Sequence, residues 1–164
     1  MPVLQRASLE FVDHAELVIS YDVDLPAEIE EVWAVIADND SWPEWFHNCT
    51  AMTSSHNPWT APGQSRTIHV KPFKIREVAV AIEAPHLWAM QLSKTNLPMA
   101  RRALEMLELS DTSRHGEVRT EVRWTGAFDL PMYFRPAASI FENQLLGTWG
   151  PSLESLLDAV IARR

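Results

Sequence analysis

Alternating apolar and polar residues dominate the first two thirds of the chain and predict strands. In LVISYDVDL, residues 17–25, every second residue from Leu17 to Leu25 is apolar or aromatic, which is typical of a half-buried strand. Between about 48 and 128, six segments read as further strands separated by turns with proline or glycine: NCTAMTSS, QSRTIHV, KIREVAVAIE, HLWAMQLS, ARRALEMLEL and VRTEVRWTGAF. This succession predicts an antiparallel meander with one solvated face.

Two segments have a helical period instead. PAEIEEVWAVIAD, residues 26–38, begins with Pro26 and carries acidic residues in its first turns, as the N-terminal end of a helix favours. In the second segment, 133–160, an apolar stripe predicts a helix long enough to cross the sheet: Phe134, Ala137, Ala138, Phe141, Leu145, Trp149, Leu153, Leu156 and Val160. Because Pro151 interrupts this stripe, we expect one bent helix or two helices in series.

Between the first helix and the second strand, SWPEWF (41–46) concentrates aromatic residues in an otherwise polar segment. Pro43 suits the first turn of a helix and Ser41 suits its N-cap, so a short helical turn is predicted. Trp42 and Trp45 are three residues apart and can share one face of that turn.

Composition and charge narrow the function classes. The chain has 164 residues, 46% of them hydrophobic, and a net charge of −8, which argues against nucleic-acid binding. No apolar run approaches the roughly 20 residues of a membrane span, and the first 20 residues lack a signal-peptide core, so we expect a cytoplasmic protein. Cys49 is the single cysteine, which excludes an intrachain disulfide and fits a reducing compartment.

Motifs for metal, phosphate and hydrolase chemistry are missing from the sequence. The six histidines have no metal-ligand spacing, and neither a glycine-rich phosphate loop nor G-x-S-x-G occurs. We therefore predict no metal and no cofactor. Between Arg6 and Arg66 there are eleven acidic residues and no Lys or Arg, which leaves an acidic docking face as an alternative.

Particular motifs resemble the START-like (Bet v 1-like, polyketide cyclase/dehydrase) superfamily over residues 17–163. They are VISYDVDLPAEIEEVWAVIADNDSWPEWF with its W-P-x-W, the Pro-Gly at 62–63, VAIEAPHLW, HGEVRTEVRWTGAF and the long C-terminal helix. The resemblance implies an α+β helix-grip fold, in which a seven-stranded antiparallel sheet curls around the long C-terminal helix, with two short helices between strands 1 and 2. We predict a START-like domain at 16–164 and an N-terminal arm at 1–15, loosely ordered or laid across the sheet edge.

In that fold a pocket lies between the sheet and the C-terminal helix, and alternation suggests which residues face it. The predicted ligand-binding residues are Trp45, Phe46, Ile68, Arg76, Val78, Val80, Trp88, Met90, Val122, Trp124, Phe134, Phe141 and Leu145. We interpret Trp42 as a structural plug against the first helix, and Trp45 with Phe46 as the wall of the cavity mouth.

Charged residues on these strands leave alternatives open. An inward Arg66 or Arg76 would suit a carboxylate or enolate, although a mouth position with the guanidinium in water is favoured. The strand at 101–109 has two possible phases. We favour the one that points Leu104 and Met106 inward with Arg102, while the other points Glu105 and Leu107 inward and makes Glu105 a candidate general base with a raised pKa.

The leading functional hypothesis is binding or transport of a hydrophobic small molecule, such as a lipid, polyketide or aromatic compound, by a monomer or homodimer. The first alternative is a polyketide cyclase or dehydratase that uses Arg66 or Arg76 to stabilise an enolate and His47 or Glu105 to move a proton. The second alternative is a protein-interaction module. An apolar pocket favours the carrier, convergent titratable groups favour the enzyme, and a filled core favours the interaction module. No catalytic residue is assigned.

Overall fold

A computed structural model describes residues 1–96 and 99–164 of the chain. Its strands are β1 (Leu17–Leu25), β2 (Cys49–Ser54), β3 (Ser65–Val70), β4 (Phe73–Glu83), β5 (Leu87–Thr95), β6 (Arg102–Asp111) and β7 (Thr120–Asp129). In the described chain these form one seven-stranded sheet in the order β1-β7-β6-β5-β4-β3-β2, with antiparallel pairing throughout. The predicted meander is therefore confirmed, and β1 closes it by pairing with β7.

The helices are α1 (Ile29–Ala37), α2 (Trp42–Trp45) and α3 (Ala138–Ile161), with 3-10 turns at Leu9–Asp13, Asn39–Ser41 and Arg135–Ala137. A capping box between Glu28 and Glu31 starts α1, because each side chain accepts a hydrogen bond from the other residue's backbone N–H. The α3 helix continues through Pro151, so the C-terminal stripe forms one helix. The helix-grip fold expected from the sequence is confirmed.

The core lies between one face of the sheet and the three helices. In the antiparallel register of β6 and β7, Leu107 lies opposite Trp124 and Leu109 lies opposite Val122 on this inner face. The ring of Trp149 on α3 stacks on that of Trp124, with 5.2 Å between centroids and an interplanar angle of 11°. The long helix is thus held to the sheet by aromatic stacking as well as by aliphatic packing.

The N-terminal segment joins the outer part of the sheet. The Leu4 backbone N–H donates to the Ser93 carbonyl at 2.9 Å, and the Gln5 N–H donates to the Arg101 carbonyl at 2.8 Å, so the segment bridges the end of β5 and the start of β6. Farther on, Phe11 packs against Leu104 and Ala127 on the face opposite the core. The division into an arm at 1–15 and a domain at 16–164 stays a prediction.

No helix in the described ranges, 1–96 and 99–164, combines the length and the apolar character needed to cross a membrane.

The close approach of α3 to β7 depends on Gly126. A Cβ atom there would lie 2.5 Å from Trp149 Cη2 and 2.6 Å from Phe128 Cε2. We expect Gly126→Ala to lower the free energy of unfolding by about 1–3 kcal/mol, as overpacking does, in urea denaturation. The matched control is Gly147→Ala on α3, where a Cβ meets nothing within 4 Å, and it should stabilise by up to about 1 kcal/mol. Equal effects of the two substitutions would contradict the close approach.

Candidate functional site

A pocket of about 360 Å³ lies between the inner face of the sheet and α3. Its walls are mainly apolar: Trp42, Phe46, Ile68, Val70, Pro72, Phe73, Ile75, Leu92, Met99, Trp124, Phe128, Phe141, Leu145 and Trp149. The polar lining residues are Asn48, Lys71, Glu77, Glu105, Gln144 and Thr148. Such a space with few polar groups is typical of a small-molecule site.

The polar residues occupy two ends of the pocket. Asn48, Lys71 and Gln144 are exposed and therefore mark the mouth. Glu77 and Glu105 are only 4% and 9% exposed and mark the floor. A bound molecule would thus meet solvent-exposed polar groups at one end and buried carboxyl groups at the other.

An arginine cage lies behind the floor. Arg66 is 2% exposed, and its Nε–H donates to Glu77 Oε2 at 2.5 Å. A second guanidinium N–H donates to Asn39 Oδ1 at 2.9 Å. The guanidinium carbon lies 3.8 Å from the ring centroid of Trp42 and 4.8 Å from that of Trp59. Pairing and cation–π contacts compensate the burial of this charge, so the expected water-exposed position of Arg66 is wrong.

The loop after β2 fixes the acceptor that faces this arginine. The Asn39 backbone N–H donates to Asn57 Oδ1 at 2.8 Å, and the Asn39 side-chain amide donates to the His56 carbonyl at 2.9 Å. These two bonds leave Asn39 Oδ1 directed at Arg66. The arginine, and through it the Glu77 carboxylate, is therefore held by bonds on two sides.

Glu105 is the second carboxyl group of the floor. The indole N–H of Trp124 donates to Glu105 Oε2 at 3.0 Å. Burial, together with the negative charge of Glu77, raises the pKa of Glu105 to about 8, against the opposing effects of the Trp124 bond and the Arg66 charge. At neutral pH this carboxyl is therefore mainly protonated, and it can donate a hydrogen bond into the pocket.

Our preferred interpretation of which β6 side chains point inward is wrong. Glu105 and Leu107 face the core, whereas Leu104, favoured above as inward, lies on the outer face and is fully buried. The N-terminal segment covers that outer face through Phe11. Because both faces of β6 are covered, apolar alternation did not distinguish them.

The inward phase predicted for β4 is also wrong. Ile75 and Glu77 line the pocket, so Arg76, Val78 and Val80 lie on the opposite face. Val80 packs there on the cluster of Phe11, and Arg76 is exposed. The outer face of β4 thus carries Val78 and Val80, while Ile75, Glu77 and Ala79 lie on the inner face.

Other predicted site residues divide between the pocket and the surrounding core. Five of them line the pocket: Phe46, Ile68, Trp124, Phe141 and Leu145. Four are buried elsewhere in the core: Trp45, Trp88, Met90 and Val122. Phe134 packs edge-on against Phe141, with 5.9 Å between centroids. Ligand contact by any of these residues stays a prediction.

Trp42 and Trp45 of α2 have positions opposite to the ones predicted for them. Trp42, interpreted above as a plug, is fully buried and also lines the pocket. Trp45, expected at the mouth, is 2% exposed and directs its indole N–H to Ser41 Oγ at 3.3 Å. His47, the other proton-transfer candidate, is exposed and lies outside the lining, and its backbone N–H donates to Ser152 Oγ.

The site predicted from the sequence omits several residues that line the pocket, among them Lys71, Glu77, Phe128 and Trp149. One signal for Glu77 existed, because β3 and β4 pair Arg66 directly with it, and opposite charges across neighbouring strands favour each other. Within ranges 1–96 and 99–164, no group of three or more His, Cys, Asp or Glu side chains is placed to hold a metal ion.

Residues 16–162 match the family model described as polyketide cyclase / dehydrase and lipid transport. The chain belongs to this family. The START-like resemblance inferred from the sequence motifs is thereby confirmed. No functionally curated protein matches the chain at a significant level.

Solved structures of low sequence identity share the family's fold. A START superfamily protein from Mycobacterium smegmatis superimposes with a TM-score of 0.69 at 10% identity, covering 90% of this chain and 99% of its own. Norcoclaurine synthase from Thalictrum flavum, solved with dopamine and hydroxybenzaldehyde, has a TM-score of 0.69 at 10% identity, with coverage of 100% and 98%. A Nitrosospira multiformis protein has a TM-score of 0.70 at 12% identity, with coverage of 90% and 100%.

The raised pKa of Glu105 makes the stability depend on pH. The folded carboxyl keeps its proton up to about pH 8, whereas the ordinary value is 4.5, so between these values the unfolded chain binds fewer protons than the folded one. The free energy of unfolding should therefore fall as pH rises through this window, by at most about 5 kcal/mol, and level off above pH 8.

Urea denaturation from pH 5 to pH 9 tests this dependence. Glu105→Gln lacks the titrating group, so its stability relative to the parent protein should rise from pH 5 to pH 8 and then stay constant. Glu108→Gln, at an exposed position of the same strand, is the matched control. If the free energy of unfolding of Glu105→Gln differs from that of the parent protein by the same amount at every pH, the buried carboxyl is ionised over the whole range from pH 5 to pH 9.

Proposed function

We propose that the protein binds a hydrophobic small molecule in the pocket between the sheet and α3. The observation that carries the proposal is the pocket itself, about 360 Å³ in volume and walled mainly by aromatic and aliphatic side chains. This volume falls in the range of about 300–1,000 Å³ that is usual for small-molecule sites. Seven of the described lining residues are aromatic, which suits a flat or greasy ligand.

The family supports the same proposal. Its description joins polyketide cyclases and dehydrases with lipid transport. Norcoclaurine synthase, which shares the fold, was solved with two aromatic compounds. We infer that this chain binds a ligand of comparable character, whether a lipid, a polyketide or an aromatic compound. A cytoplasmic location and a monomeric or homodimeric state stay predictions from the sequence.

Blocking the pocket should abolish binding of a neutral hydrophobic probe. Leu145 on α3 is half-buried and lines the pocket, so Leu145→Trp would fill part of it. We expect this variant to weaken the binding of N-phenyl-1-naphthylamine at least about tenfold, measured by probe fluorescence, which corresponds to about 1.4 kcal/mol.

The matched control is Ile140→Trp, an exposed position of the same helix outside the pocket lining. It should bind the probe as the parent protein does, and circular dichroism should show both variants folded. Probe binding that is equal in the two variants, or absent from the parent protein, would contradict the proposed pocket.

A second candidate function is acid–base catalysis on the bound molecule. The observation that favours it is the pair of carboxyl groups on the pocket floor, one of them mainly protonated at neutral pH. In dehydration of a β-hydroxy ketone, Glu105 would give its proton to the leaving hydroxyl group, and Glu77 would take the α-proton. The products are an enone and water, so the step needs no other reactant.

Dehydration of 4-hydroxy-4-phenylbutan-2-one to 4-phenylbut-3-en-2-one tests this function by ultraviolet absorbance. We expect turnover below pH 8 and a loss of about 100-fold or more in Glu105→Gln, because the amide cannot give up a proton in the same way. The exposed Glu108→Gln should keep the parental rate. No rate above buffer in the parent protein would contradict catalysis on this substrate class and leave the binding proposal standing.

A further inference from the structure

Three of the described lining residues are ionisable, and they stand at opposite ends of the pocket. Glu77 and Glu105 lie buried at the floor, and Lys71 lies exposed at the mouth. The remaining lining residues are apolar or neutral. The pocket therefore has an acidic end and a basic end separated by aromatic walls, and this polarity constrains the ligand.

At the floor, only one of the two carboxyl groups has a hydrogen bond left to donate. Glu77 is engaged by Arg66 at 2.5 Å. Glu105 accepts a hydrogen bond from Trp124 and lines the pocket, so its protonated carboxyl can donate to a group inside the pocket. A buried O–H without an acceptor is costly, so the group favours an acceptor supplied from within the pocket.

The negative charge of Glu77 decides which acceptor fits. It lines the same floor and raises the pKa of Glu105, so an anionic group placed there would be repelled. A neutral carbonyl oxygen accepts the Glu105 proton without that repulsion. The other charged group facing Glu105 is Arg66, which is already paired with Glu77 and Asn39.

At the mouth, Lys71 offers the complementary charge. Its backbone N–H donates to the Asn48 carbonyl at 3.2 Å, which fixes the residue at the end of β3. Among the described residues, no carboxylate forms an ion pair with its ammonium group. Gln144 and Thr148, the polar residues that α3 contributes to the lining, carry no charge. An anionic group at the outer end of a ligand would pair with this ammonium.

We propose that the ligand is an amphipathic carbonyl compound with an anionic tail, whose neutral carbonyl oxygen meets Glu105 at the floor and whose anion meets Lys71 at the mouth. The proposal rests on the proposed function, because it names the ligand class of the same pocket. A hydrophobic keto acid with an aromatic or aliphatic body has this polarity. A simple fatty acid lacks the inner acceptor, and a hydrocarbon lacks both ends.

Four matched naphthalenes test the two ends separately: 2-ethylnaphthalene, 2-acetylnaphthalene, 6-ethyl-2-naphthoate and 6-acetyl-2-naphthoate. Dissociation constants come from displacement of N-phenyl-1-naphthylamine at pH 6.5. The acetyl group should tighten binding about fivefold over the ethyl group, as one hydrogen bond does. The carboxylate should add about three- to fivefold, as a partly exposed ion pair does.

Variants assign each gain to its residue. Lys71→Met should remove the carboxylate gain and keep the acetyl gain, whereas Lys74→Met, an exposed lysine outside the pocket lining, should keep both. Glu105→Gln still carries a donor, so it should keep the acetyl gain at pH 6.5 and at pH 9. The parent protein should lose that gain at pH 9, because ionised Glu105 cannot donate.

The outcomes separate this proposal from the binding function. If 2-ethylnaphthalene binds but the carboxylate gives no gain, or gives the same gain in Lys71→Met, the two-ended ligand is overturned and hydrophobic binding stands. An acetyl gain that is absent at pH 6.5, or unchanged in the parent protein at pH 9, overturns the role of Glu105. If the probe binds but none of the four compounds displaces it, the two-ended ligand class fails, whereas a parent protein that does not bind the probe overturns the binding function itself.

Discussion

The site depends on a buried guanidinium. Removing a positive charge from water costs several kcal/mol unless it is paired and hydrogen-bonded. Here Arg66 meets that requirement from three directions: Glu77 on the neighbouring strand, Asn39 after α1, and the ring of Trp42 on α2. One charged side chain therefore ties the segment after α1 to strands β3 and β4.

The same arrangement places chemistry inside a pocket that is otherwise apolar. Because Glu77 is committed to Arg66, its charge stays beside the pocket and disfavours a second negative charge there. Burial and this charge therefore raise the pKa of Glu105, and the hydrogen bond from the Trp124 indole N–H fixes the orientation of its carboxyl group. Two residues of the same type thus take different roles, an ion-paired acceptor and a neutral donor, because their surroundings differ.

The sequence predicted the fold well and the site only in part, for a physical reason. The strand order and the C-terminal helix follow from hydrophobic periods and from the W-P-x-W segment, which depend on local pattern. The inward phases of β4 and β6 failed because Phe11 and its neighbours cover the outer face of the sheet, so Leu104 and Val80 are packed on the side where polar residues were expected. Glu77 and Arg66 depend on a cross-strand register that no local pattern reveals.

The bridging of β5 and β6 by the first residues has a consequence for how the chain folds. Gln5 meets Arg102 across 97 residues of sequence, and Ser20 on β1 meets Thr125 across 105. Bringing such distant segments together costs loop-closure entropy before any contact compensates it, which slows folding. During synthesis β1 therefore lacks its strand partner until β7 has left the ribosome, and its apolar face stays uncovered until α3 follows.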